Sequence, residues 1–455
     1  MNPNDRRPKD LLIEHARLID GFGGAPQEDA SLLISVGRIA KIGGQNIDRE
    51  VDRLDARGLT VLPGLIDSHV HLASVPGSVY RHDSADTMRE LRRIHLRAYL
   101  ACGVTTVLDT GISTDEAREI QGWLADGHPG PRVLFLSPVF TTPNGYMTEG
   151  TPSSGLFLPP VSSPGDVEAR FRESEDLNAV GVKVFLESGF GANCWPTHSP
   201  EVREAIRREA AKRQLPLYVH CIALADQHAA LDMEARTLAH LGPLGSDEIL
   251  ARLRLREHPI YVTSTLSIQD SWITHAEPER LDDPLVQLTV PSLELATARQ
   301  PEATKLMFRT FATWLSGDTS DAAVDAGASN ARKALAAWQV LAKKLHDTGI
   351  PIVLGTDSGN WPLMPSEFHG TTTLREMQLL GEAGLPTMTV IRAATQIAAK
   401  MLALSDEIGT VEVGKQADLV IVRGNPLEDL RALRNVAWTV KGGIARSPSE
   451  WMTFT

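Results

Sequence analysis

From residue 62 onward the sequence alternates between short apolar segments and longer amphipathic ones, and this alternation restricts the fold more than any other feature. Most of the short segments precede a helical pattern, such as residues 201–213 or 331–345, with apolar residues three and four positions apart. Eight such units in a chain of 455 residues predict an α/β fold, a (β/α)8 barrel of the TIM type. The predicted strands are residues 62–69, 104–108, 133–136, 182–186, 217–220, 237–240, 260–263 and 352–355.

The two ends of the chain follow a different pattern. Short strand-like runs broken by glycine occupy residues 11–44, and similar runs return at 418–422, 436–440 and 443–445. We expect the two ends to pair into one small β-sandwich domain beside the barrel. The predicted domain boundaries are 1–61 and 405–455 for the sandwich and 62–404 for the barrel, which carries an insertion at 264–330.

Composition argues against several kinds of partner. A formal net charge of −12 disfavours nucleic acid, because phosphate binding needs a basic face. No apolar run approaches the length of a membrane span, and no secretory signal is visible at the N-terminus. Three scattered cysteines, Cys102, Cys194 and Cys221, do not suggest a disulfide framework. We expect a cytoplasmic homo-oligomer with a small-molecule substrate and with neither nucleic acid nor membrane as a partner.

Metal-binding residue types stand at the ends of four predicted strands, where such barrels carry their catalytic groups. His69 and His71 end the first strand, and because side chains alternate along a strand they point the same way. Later strands end in His220, His240 and Asp357. Imidazole and carboxylate groups ligate zinc and related divalent ions. A single histidine is more often structural, but five such residues at matching strand ends predict a metal site.

Lys183 lies within the otherwise apolar fourth strand. A buried lysine cation is costly, and a positive charge there would repel metal ions. If the neutral amine adds carbon dioxide, it becomes an anionic carbamate whose two oxygens are able to bridge two metals. The alternative is an ordinary lysine that reaches solvent or pairs with Glu187 or Asp357.

Three segments carry a resemblance to a known family: PGLIDSHVH at residues 63–71, AATQIAAK at 393–400 and IGTVEVGKQADLV at 408–420. They resemble segments of the amidohydrolase superfamily, in the branch with a lysine-bridged binuclear metal centre. Within that branch the chain is similar to prolidase-like hydrolases. The resemblance extends over nearly the whole chain, from about residue 11 to residue 444.

The resemblance implies two divalent metal ions, with zinc expected, and a carboxylated lysine. A hydroxide between the metals would be the nucleophile, and Asp357 would carry its proton to the leaving amine. The implied ligands are His69, His71 and Asp357 for one metal, His220 and His240 for the other, and carbamylated Lys183 as the bridge.

The expected activity is metal-dependent hydrolysis of an amide C–N bond in a small, largely apolar or aromatic N-acyl or dipeptide-like substrate. The same centre would also cleave an ester, lactone or carbamate, and a non-catalytic scaffold is the alternative outside enzymes. Deaminases of the superfamily carry a glutamate three residues after the fifth-strand histidine, where this chain has Ala223. Prolidase-like relatives carry Gly-Gly-His after strand three, where this chain reads Thr142-Pro143-Asn144-Gly145-Tyr146, which argues against simple dipeptidase activity.

Substrate contacts are expected from two long loops, residues 137–165 and the insertion 264–330. We interpret the insertion as a lid or an oligomer interface. Aromatic residues on the catalytic face favour an apolar or aromatic substrate. Phe157 and Phe190 are further loop aromatics, and Arg81 and Arg280 are the arginines best placed to reach a pocket. The predicted substrate-binding residues are Tyr146, Trp195, His198, Trp272, His275, Trp361 and His369.

Overall fold

The computed structural model describes residues 10–43, 51–148, 160–189, 193–242, 244 and 246–453, without the side chains of residues 314 and 315. Phe157 and Phe190, which were predicted as loop aromatics, lie outside the described residues. The fold is mixed α/β. In the described part of the chain, no helix has both the length and the apolar character needed to cross a membrane.

The N-terminal segment forms short strands whose apolar residues are buried. Ile13, Leu32 and Ile34 pack together with Val61 in one apolar cluster, as expected for strands that bury one face of a sheet. The strands are β1 (Leu11–Leu18), β2 (Gln27–Ser35), β3 (Arg38–Ile42), β4 (Asp52–Asp55) and β5 (Leu59–Pro63).

A strand is present at each of the eight positions predicted for the barrel, although the first one differs in its bounds. The predicted strand 62–69 is divided at Gly64 between β5 and β6. A Cβ atom at Gly64 would lie 2.2 Å from Thr105 Oγ1, so only glycine fits at this crossing. The strands are β6 (Leu65–Val70), β7 (Val104–Asp109), β8 (Arg132–Phe135), β9 (Val182–Phe185), β10 (Leu217–His220), β11 (Thr237–Ala239), β12 (Tyr261–Thr263) and β13 (Ile352–Val353).

These eight strands pair in parallel as two sheets, in the orders β6-β7-β8 and β13-β12-β11-β10-β9. In the described residues they do not form one closed sheet. Backbone hydrogen bonds nevertheless cross both junctions between the two sheets. Phe140 N donates to Lys183 O at 2.9 Å on one side, and Ser68 N donates to Leu354 O at 2.9 Å on the other.

Helices follow most of these strands, and serine hydroxyls cap several of them by accepting backbone N–H groups, as Ser84 does for Thr87. The predicted helix 201–213 is present, one residue earlier at each end. The helices before the insertion are α1 (Ser78–Arg81), α2 (Ala85–Ala101), α3 (Thr114–Ala125), α4 (Pro164–Asp176), α5 (Pro200–Lys212), α6 (Leu224–Asp232) and α7 (Asp247–Arg254).

The insertion is almost entirely helical, which the sequence patterns indicated only in part. The residue pattern of 293–315 is able to form one helix, but Pro301 starts a new helix there because it has no N–H to continue the previous one. The last helix runs without a break through residue 330, the predicted end of the insertion. The helices are α8 (Ser267–Thr274), α9 (Pro284–Thr289), α10 (Ser292–Ala298), α11 (Pro301–Ser316), α12 (Asp321–Asp325) and α13 (Gly327–Asp347).

The insertion also belongs to the main apolar core. Trp272, Leu285, Met307 and Phe308 are buried in the same cluster as residues of the parallel strands, such as Val107. The insertion therefore contributes to the core, and its role as a lid or an oligomer interface stays a prediction. Replacing the whole insertion with a linker would therefore damage the core as well as the pocket.

The C-terminal segment returns to the sheet that the N-terminus begins. The remaining elements are α14 (Thr371–Glu382), α15 (Thr387–Ala393), α16 (Gln396–Met401), β14 (Leu419–Arg423), β15 (Val436–Lys441), β16 (Ile444–Arg446) and α17 (Pro448–Thr453). β5 pairs with β14 through Leu62 and Val420, and the sheet order is β16-β15-β14-β5-β1-β2-β3 with β4 on β1. The predicted sandwich would have two stacked sheets, whereas the described chain ends form one eight-stranded sheet.

Candidate metal centre

The six predicted ligand residues converge at the carboxyl ends of the parallel strands. His69 lies in β6, Lys183 in β9 and His220 at the end of β10. His71, His240 and Asp357 follow β6, β11 and β13 directly or within a few residues. All six side chains are buried. The strands fix these positions because their backbones are hydrogen-bonded to one another, and this brings together residues that are far apart in the sequence.

His69, His71 and Asp357 form a group able to hold one metal ion. Their donor atoms lie within 4.8 Å of one another. Asp357 Oδ1 lies 3.0 Å from His69 Nε2 and 2.9 Å from His71 Nε2. Two imidazole nitrogens and a carboxylate oxygen around one point are a donor set that suits zinc and similar ions.

The remaining predicted ligands surround the other side of His69. Lys183 Nζ lies 3.3 Å from His69 Nε2, and the His240 ring centroid is 5.1 Å from that of His69. The rings of His220 and His240 are 4.8 Å apart. His220 Nε2 is buried and makes no hydrogen bond, although Glu187 Oε2 lies 3.3 Å away. A buried imidazole nitrogen without a hydrogen bond fits a metal ligand.

Burial sets the protonation of the donors. It lowers the pKa of His69 to about 3 and the pKa of His240 well below its usual value, so both rings are neutral at physiological pH. Burial also lowers the pKa of Lys183 to about 8, which makes the neutral amine accessible near neutral pH. Burial opposes ionisation of Asp357, but His69 and His71 outweigh it and hold the pKa of this carboxyl well below its ordinary range.

Two candidate ligands have strained backbones that neighbouring side chains support. His240 has a φ of 69° and Asp357 a φ of 66°, the left-handed region that few side chains adopt. Thr265 Oγ1 lies 2.9 Å from His240 Nδ1, which orients that ring. Asn360 Nδ2 donates to Asp357 Oδ2 at 2.9 Å and leaves Oδ1 facing the histidines. Supporting contacts of this kind are typical around metal ligands.

Buried carboxylates brace the loops that carry the ligands. Asp67 accepts hydrogen bonds from the hydroxyls of Thr356 and Thr373, and burial raises its pKa to about 7. Asp109 accepts the backbone N–H groups of Leu72 and Gly111 at 2.7 and 2.9 Å. Asp109 was not among the predicted site residues, although its position at the end of β7 was the available signal.

A cavity of about 310 Å³ opens directly above the ligands. Tyr146 stacks on His220 with ring centroids 4.8 Å apart, and the rings of Trp272 and Phe311 are 4.2 Å apart. The walls are mostly apolar. The lining residues are His69, His71, Tyr146, Met147, Lys183, Phe185, His220, Ile222, His240, Ile268, Gln269, Trp272, Phe311, Asn330, Ala334, Trp338, Asp357, Asn360, Trp361 and Met364.

Of the predicted substrate contacts, Tyr146, Trp272 and Trp361 line this cavity. Trp195 does not line the cavity, but its ring packs edge-on against that of Tyr146, with the ring centroids 5.2 Å apart. Phe311 and Trp338 also line the cavity and were not predicted, because their apolar spacing along helices resembles ordinary core packing.

The three predicted loop histidines lie away from the lining. His198 is buried, and this burial lowers its pKa. His275 Nε2 lies 3.0 Å from Ser366 Oγ, and His369 Nδ1 lies 2.9 Å from Tyr99 Oη. Their polar side chains suggested contact with a substrate. In the structure His198 is buried, and His275 and His369 lie within hydrogen-bonding distance of hydroxyl groups.

The two arginines predicted to reach a pocket are also held elsewhere. Arg81 donates to Asp83 and to Thr297 Oγ1. Arg280 pairs with Asp270 at 2.9 Å. Neither lines the cavity.

The sequence matches the profile of the Amidohydrolase family over residues 60–445. The chain therefore belongs to the amidohydrolase family. The D-aminoacylase of Alcaligenes xylosoxydans xylosoxydans is 36% identical over 115 residues, which cover 25% of this chain and 21% of that protein. The dihydroorotase of Streptococcus pneumoniae serotype 4 (strain ATCC BAA-334 / TIGR4) is 35% identical over 100 residues, 22% of this chain and 21% of that protein. The match thus spans about a fifth of the length of each curated relative.

A solved structure extends the similarity to the whole fold. The crystal structure of a Xaa-Pro dipeptidase with bound methionine in its active site superposes with a TM-score of 0.74 at 24% sequence identity. The superposition covers 96% of this chain and 100% of that chain. At this identity the similarity establishes a common fold and leaves the reaction open.

Proposed function

We propose that the protein is a metal-dependent hydrolase that cleaves an amide C–N bond in a small, largely apolar or aromatic substrate. One observation carries the proposal: the buried His, Asp and Lys donors form the floor of a cavity whose walls are apolar and aromatic. A substrate in this cavity would lie against the metal ligands. The size of the cavity matches the lower end of small-molecule sites.

The proposal includes the architecture that carries the site. We infer that the eight parallel strands close into a TIM-type barrel over residues 62–404, supported by the hydrogen bonds at both junctions between the sheets. Residues 1–61 and 405–455 would form the second, β-rich domain. Barrels of this type carry their catalytic groups at the carboxyl ends of the strands, and the candidate donors lie at the same ends here, which supports the proposal.

We further propose two metal sites, with zinc expected in both. Metal ions, when bound, supply Lewis-acid activation of a water molecule and of the substrate carbonyl. Lys183 would ligate as a carbamate, because its lowered pKa makes the neutral amine available to react with carbon dioxide. The proposed ligands are His69, His71 and Asp357 at one site, His220 and His240 at the other, and Lys183 at both.

Asp357 is the proposed proton carrier. Its pKa is held low by His69 and His71, so it is ionised and able to accept a proton from the attacking water. The hydrogen bond from Asn360 fixes the carboxylate while Oδ1 faces the reacting atoms. The same carboxyl then delivers the proton to the leaving nitrogen. The aromatic walls around Tyr146 and Trp272 exclude bulk water from this exchange.

A matched panel of substrates tests the proposal. Purified protein would be analysed for metal content, stripped with a chelator and reloaded with Zn²⁺. Each form would then be assayed with N-benzoyl amides and with the corresponding benzoate esters. We expect amide hydrolysis that disappears with the metal and returns on reloading. Hydrolysis of the esters alone would indicate that the protein is a carboxylic-ester hydrolase. The absence of any turnover by the metal-loaded protein would contradict a catalytic role.

A further inference from the structure

Two polar side chains of α8 line the cavity without a role in the proton transfer described above. Gln269 and Trp272 are three residues apart, which places them on the same face of the helix. The Gln269 side-chain oxygen Oε1 and the Trp272 indole nitrogen Nε1 are buried and make no hydrogen bond. Both side chains are more than nine-tenths buried, at 7% and 4% exposed.

Unpaired polar atoms in such a position point to a ligand. Nearly all buried polar groups in proteins have a hydrogen-bond partner, so those without one are exceptional. The Trp272 ring is accounted for by its packing against Phe311 and Phe308. That packing buries the apolar part of the indole but provides no hydrogen-bond acceptor for its N–H. The two residues that carry this unpaired acceptor and this unpaired donor therefore both line the same cavity.

The charges around the cavity restrict what this pair is able to bind. Among the lining residues that the structure describes there is no arginine, and Lys183 is the one lysine, on the floor. Arg81 and Arg280 are paired elsewhere, with Asp83 and Asp270. A substrate carboxylate placed against Gln269 and Trp272 would thus be buried without a cation, which is unfavourable.

We propose that the substrate carries a second, uncharged amide-like group remote from the scissile bond, and that Gln269 and Trp272 bind it. The Trp272 indole N–H would donate to the carbonyl of this group, and Gln269 Oε1 would accept from its N–H. The inference rests on the proposed amide-hydrolase function and narrows its substrate class. It selects neutral amides, such as N-acyl amino-acid amides, over N-acyl amino acids and dipeptides with a free carboxylate.

Binding of unreactive analogues tests this inference separately from catalysis. The probes are two ketomethylene analogues of N-benzoyl-leucine, in which CH2 replaces the scissile nitrogen, one ending in a carboxamide and the other in a carboxylate. Calorimetry on the metal-loaded protein should give a dissociation constant at least about tenfold lower for the carboxamide. Equal affinity, or tighter binding of the carboxylate, would overturn the inference.

Variants assign the preference to the two side chains. Gln269→Leu and Trp272→Phe keep most of the apolar volume and remove one hydrogen-bonding group each. We expect each to weaken binding of the carboxamide by about three- to tenfold and to leave binding of the carboxylate within twofold. Gln121→Leu, outside the cavity, is the matched control. A preference that survives both variants would contradict the assignment.

The two proposals fail in different ways. Protein that prefers the carboxamide analogue but hydrolyses no benzoyl amide would contradict the amide-hydrolase function and leave the recognition of a neutral group intact. Protein that hydrolyses N-benzoyl-leucine faster than N-benzoyl-leucinamide, in terms of kcat/KM, would keep the function and overturn the inference.

Discussion

The floor and the roof of the cavity are built on different principles. The floor consists of strand ends, where histidines, Lys183 and Asp357 are buried and held by backbone and side-chain hydrogen bonds. The roof comes from helices of the insertion and from the part of α13 that follows it, and it presents Trp272, Phe311 and Trp338. Under the proposed function, we expect the chemistry to depend on the strand ends and the choice of substrate to depend on the helices that pack over them. Changes in the floor should therefore affect turnover most, and changes in the roof should affect selectivity or stability.

The largest effect is expected from Lys183→Ala. Removing the proposed bridging group should abolish most metal binding and almost all hydrolysis, because only imidazoles and one carboxylate would remain as donors. Metal analysis after dialysis and kcat with the best panel substrate measure both quantities. Added bicarbonate does not help a chain that lacks the amine, but a short carboxylic acid should restore part of the activity.

Lys400→Ala, at an exposed position, is the control for Lys183→Ala and should behave like the unmodified protein. The direct measurement is the mass of the intact protein under non-denaturing conditions. 13C-labelled carbon dioxide serves as the probe of a carbamate on Lys183. Full metal content and an unchanged rate in Lys183→Ala would contradict the proposed bridging role of Lys183.

Asp357→Asn should reduce kcat by about 10²–10⁴-fold, which is the usual contribution of a general acid–base group. Asn360→Ala should reduce it by less, about tenfold, because it releases the carboxylate without removing it. In Asn360→Ala the acidic limb of the kcat profile against pH should also shift. Near-normal turnover by Asp357→Asn at full metal occupancy would assign the proton transfer to another residue.

The contrast between floor and roof also explains how far sequence reasoning reaches. The ends of strands are visible in a sequence because apolar runs mark the strands, and parallel strands bring their ends together. The amino-acid sequence alone accordingly identifies His69, Lys183 and Asp357 as candidates. It does not identify Phe311 and Trp338, because an apolar residue on a helix gives no sign of whether it faces the core or a cavity. The loop histidines predicted for the pocket are directed elsewhere by tertiary packing.

The sequence predicts the fold to a similar extent. The positions of the strands follow from hydrophobic pattern, but the division at Gly64 depends on how closely Thr105 approaches, which no local pattern records. The break at Pro301 lies within a longer apolar periodicity that by itself predicts one continuous helix. The pairing of both chain ends was predicted, whereas their arrangement as one sheet depends on which edge strands meet.

The smallest effect on turnover is expected at the contact between the insertion and helix α2. Glu294 in α10 of the insertion and His95 in α2 are both buried, with Oε1 and Nε2 2.6 Å apart. Burial lowers the pKa of His95 to about 3 and raises the pKa of Glu294 well above its usual value. Both shifts favour the uncharged forms, so we expect the Glu294 hydroxyl to donate to His95 Nε2 in a neutral hydrogen bond.

Two substitutions distinguish this neutral bond from an ion pair. Glu294→Gln keeps a neutral donor and should change the free energy of unfolding by less than about 1 kcal/mol, since one hydrogen bond replaces another. Glu294→Leu leaves a buried imidazole without its partner and should cost about 1–3 kcal/mol. Both should keep kcat within threefold, because the ligands on the floor are untouched. If the pair were ionic, Glu294→Gln would instead strand a buried imidazolium and cost about 3–5 kcal/mol, a difference that urea denaturation resolves readily.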